Sequence, residues 1–382
     1  MNTAKKKICI LAATPLTIHF FLKPHILALA KEFDVTLMLN LKNDAYLPPL
    51  NLPIHIIDIP IARKMSPFSD IHVLATLINL FWRTRYDLLI TVVPKAGLLG
   101  MLAGTFTGIS KRLHIFQGEV WANRSGFGRW ILKFCDVITT YLATNLLAVS
   151  DSEKRFLETQ GVVRPEKINV LGKGSIGGVN LTRFVADAAV RDRVRDSFGI
   201  PSHALVFIFV GRLVADKGIY ELVSAYKQAL QNYPDLWLLL VGPDEEGQWQ
   251  HIQKELGVGI GQVRHQSYTE QPQEFLAAAD VLCLPSHREG FGVVIIEAAA
   301  MGIPAIGSRI YGVSDAIVDG QTGLLFDCGN AKRLQECIEK LSSEPELQRL
   351  LGKNAHQNVE QYFDDQQVRS LYLSYIRELL ND

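Results

Sequence analysis

The chain is poor in the features that would assign it quickly. Its five cysteines, Cys9, Cys135, Cys283, Cys328 and Cys337, form no Cys-x-x-Cys pair and no spaced framework. That excludes a disulfide-stapled secreted domain and a cysteine-based zinc module, and it predicts a reducing, cytoplasmic setting. No apolar run reaches the roughly 18–20 residues of a membrane span. The nearest, 88–109, is broken by Pro94, Lys95 and several glycines. The amino-terminal stretch Lys5-Lys-Lys-Ile-Cys-Ile-Leu-Ala-Ala13 has the outline of a signal peptide, but its apolar part ends at Thr14-Pro15, so a first buried strand is expected instead. There are no repeats and no low-complexity segments. A Gly-x-Gly-x-x-Gly fingerprint is missing, which counts against a dehydrogenase. No His-Glu-x-x-His, no Ser/His/Asp set, no Asp-x-Asp pair and no metal-ligand cluster is visible.

Net charge is also lacking: 39 Lys and Arg balance 39 Asp and Glu. The balance is uneven along the chain. Residues 1–185 carry 22 Lys and Arg against 12 Asp and Glu, an excess that the remainder cancels. A basic half with exposed-looking aromatics (Phe20, Phe21, Phe68, Phe81, Trp82, Trp121 and Trp130) suits an anionic membrane surface. A solvated basic face over buried aromatics is the alternative. No recognition motif for nucleic acid accompanies the charge.

At 48% hydrophobic and 20% charged, 382 residues suffice for two globular cores. Apolar runs alternate with amphipathic stretches. Strands are expected at 7–12, 35–39, 54–57, 88–92, 112–116 and 145–149, and again at 204–211, 236–242, 263–265, 280–284 and 305–307. Helices are expected between them, including 20–31, 71–83, 97–108, 152–159, 218–232, 248–256, 269–279, 293–301, 332–342 and 345–363. Continuous rather than alternating apolar runs indicate parallel strands covered on both faces. The expected fold is α/β, with two Rossmann-like, doubly wound parallel-sheet domains facing across a cleft. The boundary is placed in the glycine-rich and polar stretch 172–201, giving domains 1–185 and 186–365, with a helix over 366–382 packing back on the first.

Two segments carry chemistry. The strand ending at Val210 runs into Gly211-Arg-Leu-Val-Ala-Asp-Lys217-Gly218. This places a forked cation, Arg212, and a point cation, Lys217, in one loop, the pairing a diphosphate would need. The second is Ser286-His-Arg-Glu289-Gly-Phe-Gly-Val-Val-Ile-Ile-Glu297-Ala. It reads as strand, glycine loop and helix, so Glu289 lies ahead of the helix and Glu297 one to two turns inside. Free N–H groups at the helix start suit a phosphate, and two acids flanking such a loop suit the hydroxyls of a nucleotide sugar.

Together with Leu240-Val-Gly242, the run 275–280, Gly302-Ile-Pro-Ala-Ile-Gly307 and Gly312-Val…Ile317-Val-Asp-Gly-Gln-Thr-Gly-Leu-Leu-Phe326, these segments resemble the family 4 retaining glycosyltransferases of GT-B architecture. The resemblance covers the second half. In the first half, Gly118-Glu-Val-Trp121 and Gly174-Ser-Ile-Gly-Gly-Val-Asn180…Phe184 look like bacterial surface-polysaccharide members. The resemblance implies a hexosyltransferase. Arg212 and Lys217 would hold the donor diphosphate and stabilise the leaving group, while Glu297 would bind the ribose. Glu289 would contact the transferred sugar near its reacting carbon, and the backbone of Gly211, Gly290, Phe291 and Gly292 would line the donor. Arg212, Lys217 and Glu289 are thus the expected catalytic set, with no cofactor and no metal. The expected partners are a nucleotide-sugar donor, UDP-linked, a lipid-linked acceptor at the inner face of a bacterial membrane, and no nucleic acid.

One position departs from the family pattern. A histidine commonly precedes a glycine at a strand end in the first domain; here Gln117 precedes Gly118. His114, three residues earlier on the strand, points the opposite way and is expected to be structural. Gln117 and His19, in the loop after the first strand, are the acceptor-side candidates, and Glu119 is expected to be a surface acid. Two rivals stay open, a nucleotide-sugar 2-epimerase and a donor-binding subunit with a decayed acceptor side.

Overall fold

The computed structural model describes residues 5–43, 47–62 and 66–381. Residues 1–4, at the head of the amino-terminal run, and Asp382, at the end of the closing segment, lie outside that set. Long Val/Ile/Leu runs become strands buried on both faces, as in Leu88–Val92 and Leu236–Val241, where every residue is buried. Such strands leave no solvent side for polar alternation, and they stack in parallel.

The first sheet contains β1 (Lys7–Leu11), β2 (Asp34–Leu39), β3 (His55–Asp58), β4 (Leu88–Val92), β5 (Lys111–Ile115), β6 (Asn145–Ala148) and β7 (Ile168–Val170), in the order β3-β2-β1-β4-β5-β6-β7. The second contains β8 (Leu205–Val210), β9 (Leu236–Val241), β10 (Val263–Gln266), β11 (Val281–Leu284), β12 (Ala305–Ser308) and β13 (Gly323–Phe326), in the order β10-β9-β8-β11-β12-β13. Every pairing in both sheets is parallel. These are two Rossmann-like sheets, the fold class read from the sequence. Each order reverses once, between β1 and β4 and between β8 and β11. At such a point the chains leaving two neighbouring strands turn to opposite faces and open a crevice at the carboxyl edge.

The chain divides into two compact units, one of Met1–Gly177 with Gln366–Asp382 and one of Gly178–Asp365. Within the first, the closing helix Asp365–Asn381 docks on the helix Lys23–Glu32. Tyr372 lies 4.6 Å from the His25 ring, and Arg377 Nε donates to Glu32 Oε2 at 2.9 Å. Among the described residues, no helix is long and apolar enough to cross a membrane.

Several elements differ from expectation. The segment after β1 folds as a π-helical turn, Ile18–Leu22, ahead of the helix Lys23–Glu32. The helices Gly126–Leu142 and Ala188–Phe198 and the strands β7 and β13 were not expected. Of the aromatics read as exposed, Phe81 and Trp121 are core residues, and Trp121 is among the largest fully buried side chains. Phe20, Phe68, Trp82 and Trp130 are exposed.

Candidate functional site

The switch point of the second sheet gathers the segments singled out in the sequence. β8 ends in Gly211 and Arg212, and a short 3-10 turn, Ala215–Lys217, leads to Gly218 and the helix Ile219–Asn232. Gly218 has φ +69°, and a Cβ there would stand 2.0 Å from the Pro285 carbonyl oxygen. Only glycine lets the loop after β8 lie against the end of β11. That approach brings Lys217 to Glu289. Its ammonium pairs with Glu289 Oε1, and Ser286 Oγ donates to the same oxygen at 2.8 Å. Both side chains of the pair are mostly covered, at 21% and 15% exposed.

Beyond Glu289, Gly292 takes the left-handed conformation (φ +76°) and caps the helix Val293–Ala300. The N-termini of two helices, one opening at Gly218 and one at Gly292, therefore flank the crevice, each offering unbonded N–H groups and a positive dipole end. The Phe291 ring is buried against Phe363 at 5.3 Å, so only its main chain is available to a ligand. Glu297 sits inside the helix with partial exposure. Desolvation pushes its carboxyl up to about 7, against the opposing pull of Arg183.

Arg212 turns to Glu245 in the loop after β9, Nη1 to Oε2 at 2.8 Å. Nearby, a His287 ring nitrogen and Glu221 Oε1 are 2.9 Å apart, and the main-chain N–H of His287 donates to the Asp216 carbonyl at 2.9 Å. The structure thus brings Lys217 and Glu289 into contact, while Arg212 points to a different acid. Glu245 and Ser286 were not assigned roles from the sequence. Ser286 stands in the quoted loop, but its aim at Glu289 needs the folded turn. Glu245 follows an ordinary strand end, and no local pattern marks it. The arrangement offers cations and helix N-termini to an anion and carboxylates to hydroxyl groups.

In the first unit, Gln117 follows β5, half-buried, and its Nε2 has no hydrogen-bond partner among the described residues. Gly118 N–H donates to Glu153 Oε1 at 2.5 Å, and Val149 N–H donates to Glu153 Oε2 at 2.8 Å. The buried Glu153 carboxylate therefore ties together the loops after β5 and β6. The His19 ring bonds to the Pro48 carbonyl oxygen at 2.9 Å. His114 lies in the core, its Nδ1 2.8 Å from Thr91 Oγ1, and burial pushes its pKa down to about 3, so it is neutral. Glu119, expected at the surface, is 1% exposed. It follows the strand end into the protein instead of out to solvent.

Two Rossmann-like units in one chain, the second with charged side chains gathered at its switch point, have the GT-B architecture. A family model described as glycosyl transferases group 1 matches residues 190–358. The capsular polysaccharide biosynthesis glycosyltransferase CapM of Staphylococcus aureus is 30% identical over 331 residues, 84% of this chain and 85% of that protein. An Escherichia coli UDP-Gal:alpha-D-GlcNAc-diphosphoundecaprenol alpha-1,3-galactosyltransferase is 22% identical over 324 residues, 83% and 82% of the two chains. Anabaena Alr3699/HepE, solved in complex with UDP, shares the fold with a TM-score of 0.78 at 18% identity, over 97% of this chain and 100% of that one. The chain belongs to the group 1 glycosyl transferases; it is a glycosyltransferase.

Proposed function

We propose that this glycosyltransferase moves a hexose from a UDP-sugar to a lipid-linked oligosaccharide in the assembly of bacterial surface polysaccharide, with retention at the anomeric carbon and no metal ion. The observation that carries the reading is the Lys217–Glu289 pair at the switch point of the second sheet, backed by Ser286 and set near two helix N-termini. Lys217 and Arg212 meet the diphosphate and stabilise charge on the leaving oxygen as the glycosidic bond breaks. Glu289 orients the sugar at its reacting carbon, Glu297 binds the ribose, and the main chain of Gly211 and of Gly290 to Gly292 lines the donor. The anomeric carbon gains the acceptor oxygen as it loses the phosphate oxygen, and the departing phosphate takes the acceptor's proton. Gln117, with its free buried amide, and His19 serve the acceptor side. The UDP seen with the Anabaena protein and the diphosphoundecaprenol substrate in the name of the E. coli relative support the donor and acceptor classes. The protein would then work at the cytoplasmic face of the inner membrane.

Purified protein incubated with labelled UDP-sugars and a bacterial lipid extract tests this. Transfer into lipid with the anomeric configuration kept is expected. Lys217→Ala and Glu289→Ala should each lower turnover roughly hundredfold or more. Formation of a 2-epimer, or donor binding without turnover, would replace the proposal with one of the two rival readings. Near-parental rates in both variants would overturn the site assignment.

A further inference from the structure

The helix Gly126–Leu142 leaves a row of aromatic side chains outside. Its exposed stripe is Phe127 (75% exposed), Trp130 (60%), Phe134 (49%) and Tyr141 (83%), spaced by three, four and seven residues along one side. Its buried residues are Asp136, Thr139 and Thr140. The polar groups inside are satisfied locally. Asp136 Oδ2 accepts from Trp121 Nε1 at 2.6 Å, and Thr140 Oγ1 donates to the Val162 carbonyl at 2.8 Å. A surface helix ordinarily faces its apolar stripe inward. Here the inward face is mixed, with Leu132, Val137 and Leu142 packed partly buried against the core beside the polar residues, and a second, aromatic stripe is left outside.

The rings form an ordered ridge. Phe127 stacks on Trp130 at 5.9 Å and 11°, and Trp130 stacks on Phe134 at 5.4 Å and 3°. Charge along this stretch of the chain is mainly basic. Arg124 is exposed just ahead of the helix, Arg129 and Lys133 on it reach over the Trp121 ring to Gln160, and the only acid between residues 120 and 150 is Asp136, which is 1% exposed. The helix Pro94–Phe106 packs beside it and the helix Pro67–Thr84 beside that. On those neighbours, Phe106 (65% exposed) and Trp82 (57%) pair at 5.6 Å.

We infer that this ridge docks the protein on an anionic lipid bilayer, with Phe127, Trp130 and Phe134 entering the headgroup–acyl boundary. Stacked aromatics beside basic residues match the composition of an interfacial helix. The positive flank complements anionic headgroups. A second protein is the poorer occupant. The four rings expose on the order of 500 Å², below the about 800 Å² per partner of a stable protein interface, and a narrow ridge needs a matching groove that a fluid bilayer supplies without one. The helix begins ten residues after β5, in the chain leaving the sheet edge that carries Gln117. Docking by this ridge therefore sets the acceptor-side loop near the lipid surface. That consequence rests on the proposed lipid-linked acceptor; the docking itself does not.

Flotation of the full chain with phosphatidylcholine vesicles, with and without phosphatidylglycerol, tests the inference in the absence of donor and acceptor. The parent should float with the anionic vesicles. The variant Phe127→Ser/Trp130→Ser/Phe134→Ser, checked for unchanged thermal unfolding, should bind them roughly tenfold or more weakly. Arg124→Gln/Lys133→Gln should weaken anionic binding and blunt its salt sensitivity. Lys217→Ala should float like the parent, which separates this result from any failure of sugar transfer. The inference is overturned if the triple variant floats like the parent. It is overturned equally if the parent ignores vesicles and is instead a dimer that the triple variant splits.

Discussion

Buried ionisable groups give the first unit opposing responses to pH. Asp136 is pushed up from its ordinary value to about 7 by desolvation, with the Trp121 N–H pulling it back. A carboxyl with a raised folded-state pKa holds its proton more firmly in the folded chain than in the unfolded one. Its stabilising contribution is full below about 4 and is lost as pH rises towards 7. His25 and His114, pushed down to about 4 and about 3 by burial, act in the other direction, losing stability as pH falls below 6.5. Asp136→Asn keeps an acceptor for Trp121 and removes the first effect alone. Its melting temperature relative to the parent is therefore expected to rise between pH 5 and pH 8, measured by circular dichroism at both pH values. A flat difference would mean that Asp136 is ionised throughout. Among the candidate site residues, Lys217 and Glu289 stood out because charged residues in glycine-rich loops after strands have little packing use, and Glu297 because it shares the segment with Glu289. Ser286 and Glu245 did not, since their roles lie in what they face.

At the level of elements, the turn that positions Lys217 depends on the contact between Gly218 and Pro285. Gly218→Ala would add a methyl 2.0 Å from a carbonyl oxygen at φ +69°. A loss of about 2–4 kcal/mol is expected, read by urea unfolding, with the ion pair to Glu289 displaced and donor binding weakened. Stability near that of the parent would show that the loop relaxes freely. Most strands were legible in the sequence from their apolar runs, long or short. β7, with three residues, and β13, with four, were not legible, although other strands of four residues were. The helix Ala188–Phe198 has only Val194 and Arg195 buried, so it shows no apolar stripe, and its start rests on Asp187, whose carboxylate caps the N–H groups of Ala189 and Val190. The helix Gly126–Leu142 escaped for a different reason. It has apolar residues on two sides, Leu132, Val137 and Leu142 against the core and Phe127, Trp130 and Phe134 outside, so no single apolar stripe marks it.

For the whole molecule, two sheets with separate cores imply two unfolding units. A nucleotide held at the switch point of the second should stabilise that unit by mass action, about 2.7 kcal/mol at a ligand concentration one hundred times Kd. Calorimetry with and without UDP should show one component of the transition moving upward and the other staying in place. A uniform shift of a single two-state peak would mean that the units unfold together.

By itself, the amino-acid sequence determined the architecture, since continuous apolar runs alternating with amphipathic stretches suit parallel strands covered on both faces, and it marked the cations and acids clustered at strand ends as a candidate ligand site. Tertiary structure alone decided which charges meet and which face of a helix is left over. Lys217 and Glu289 are 72 residues apart in the chain, and the exposure of Phe127, Trp130 and Phe134 depends on how their helix is turned against the sheet. Both outcomes are set by packing between distant segments, which no local pattern encodes.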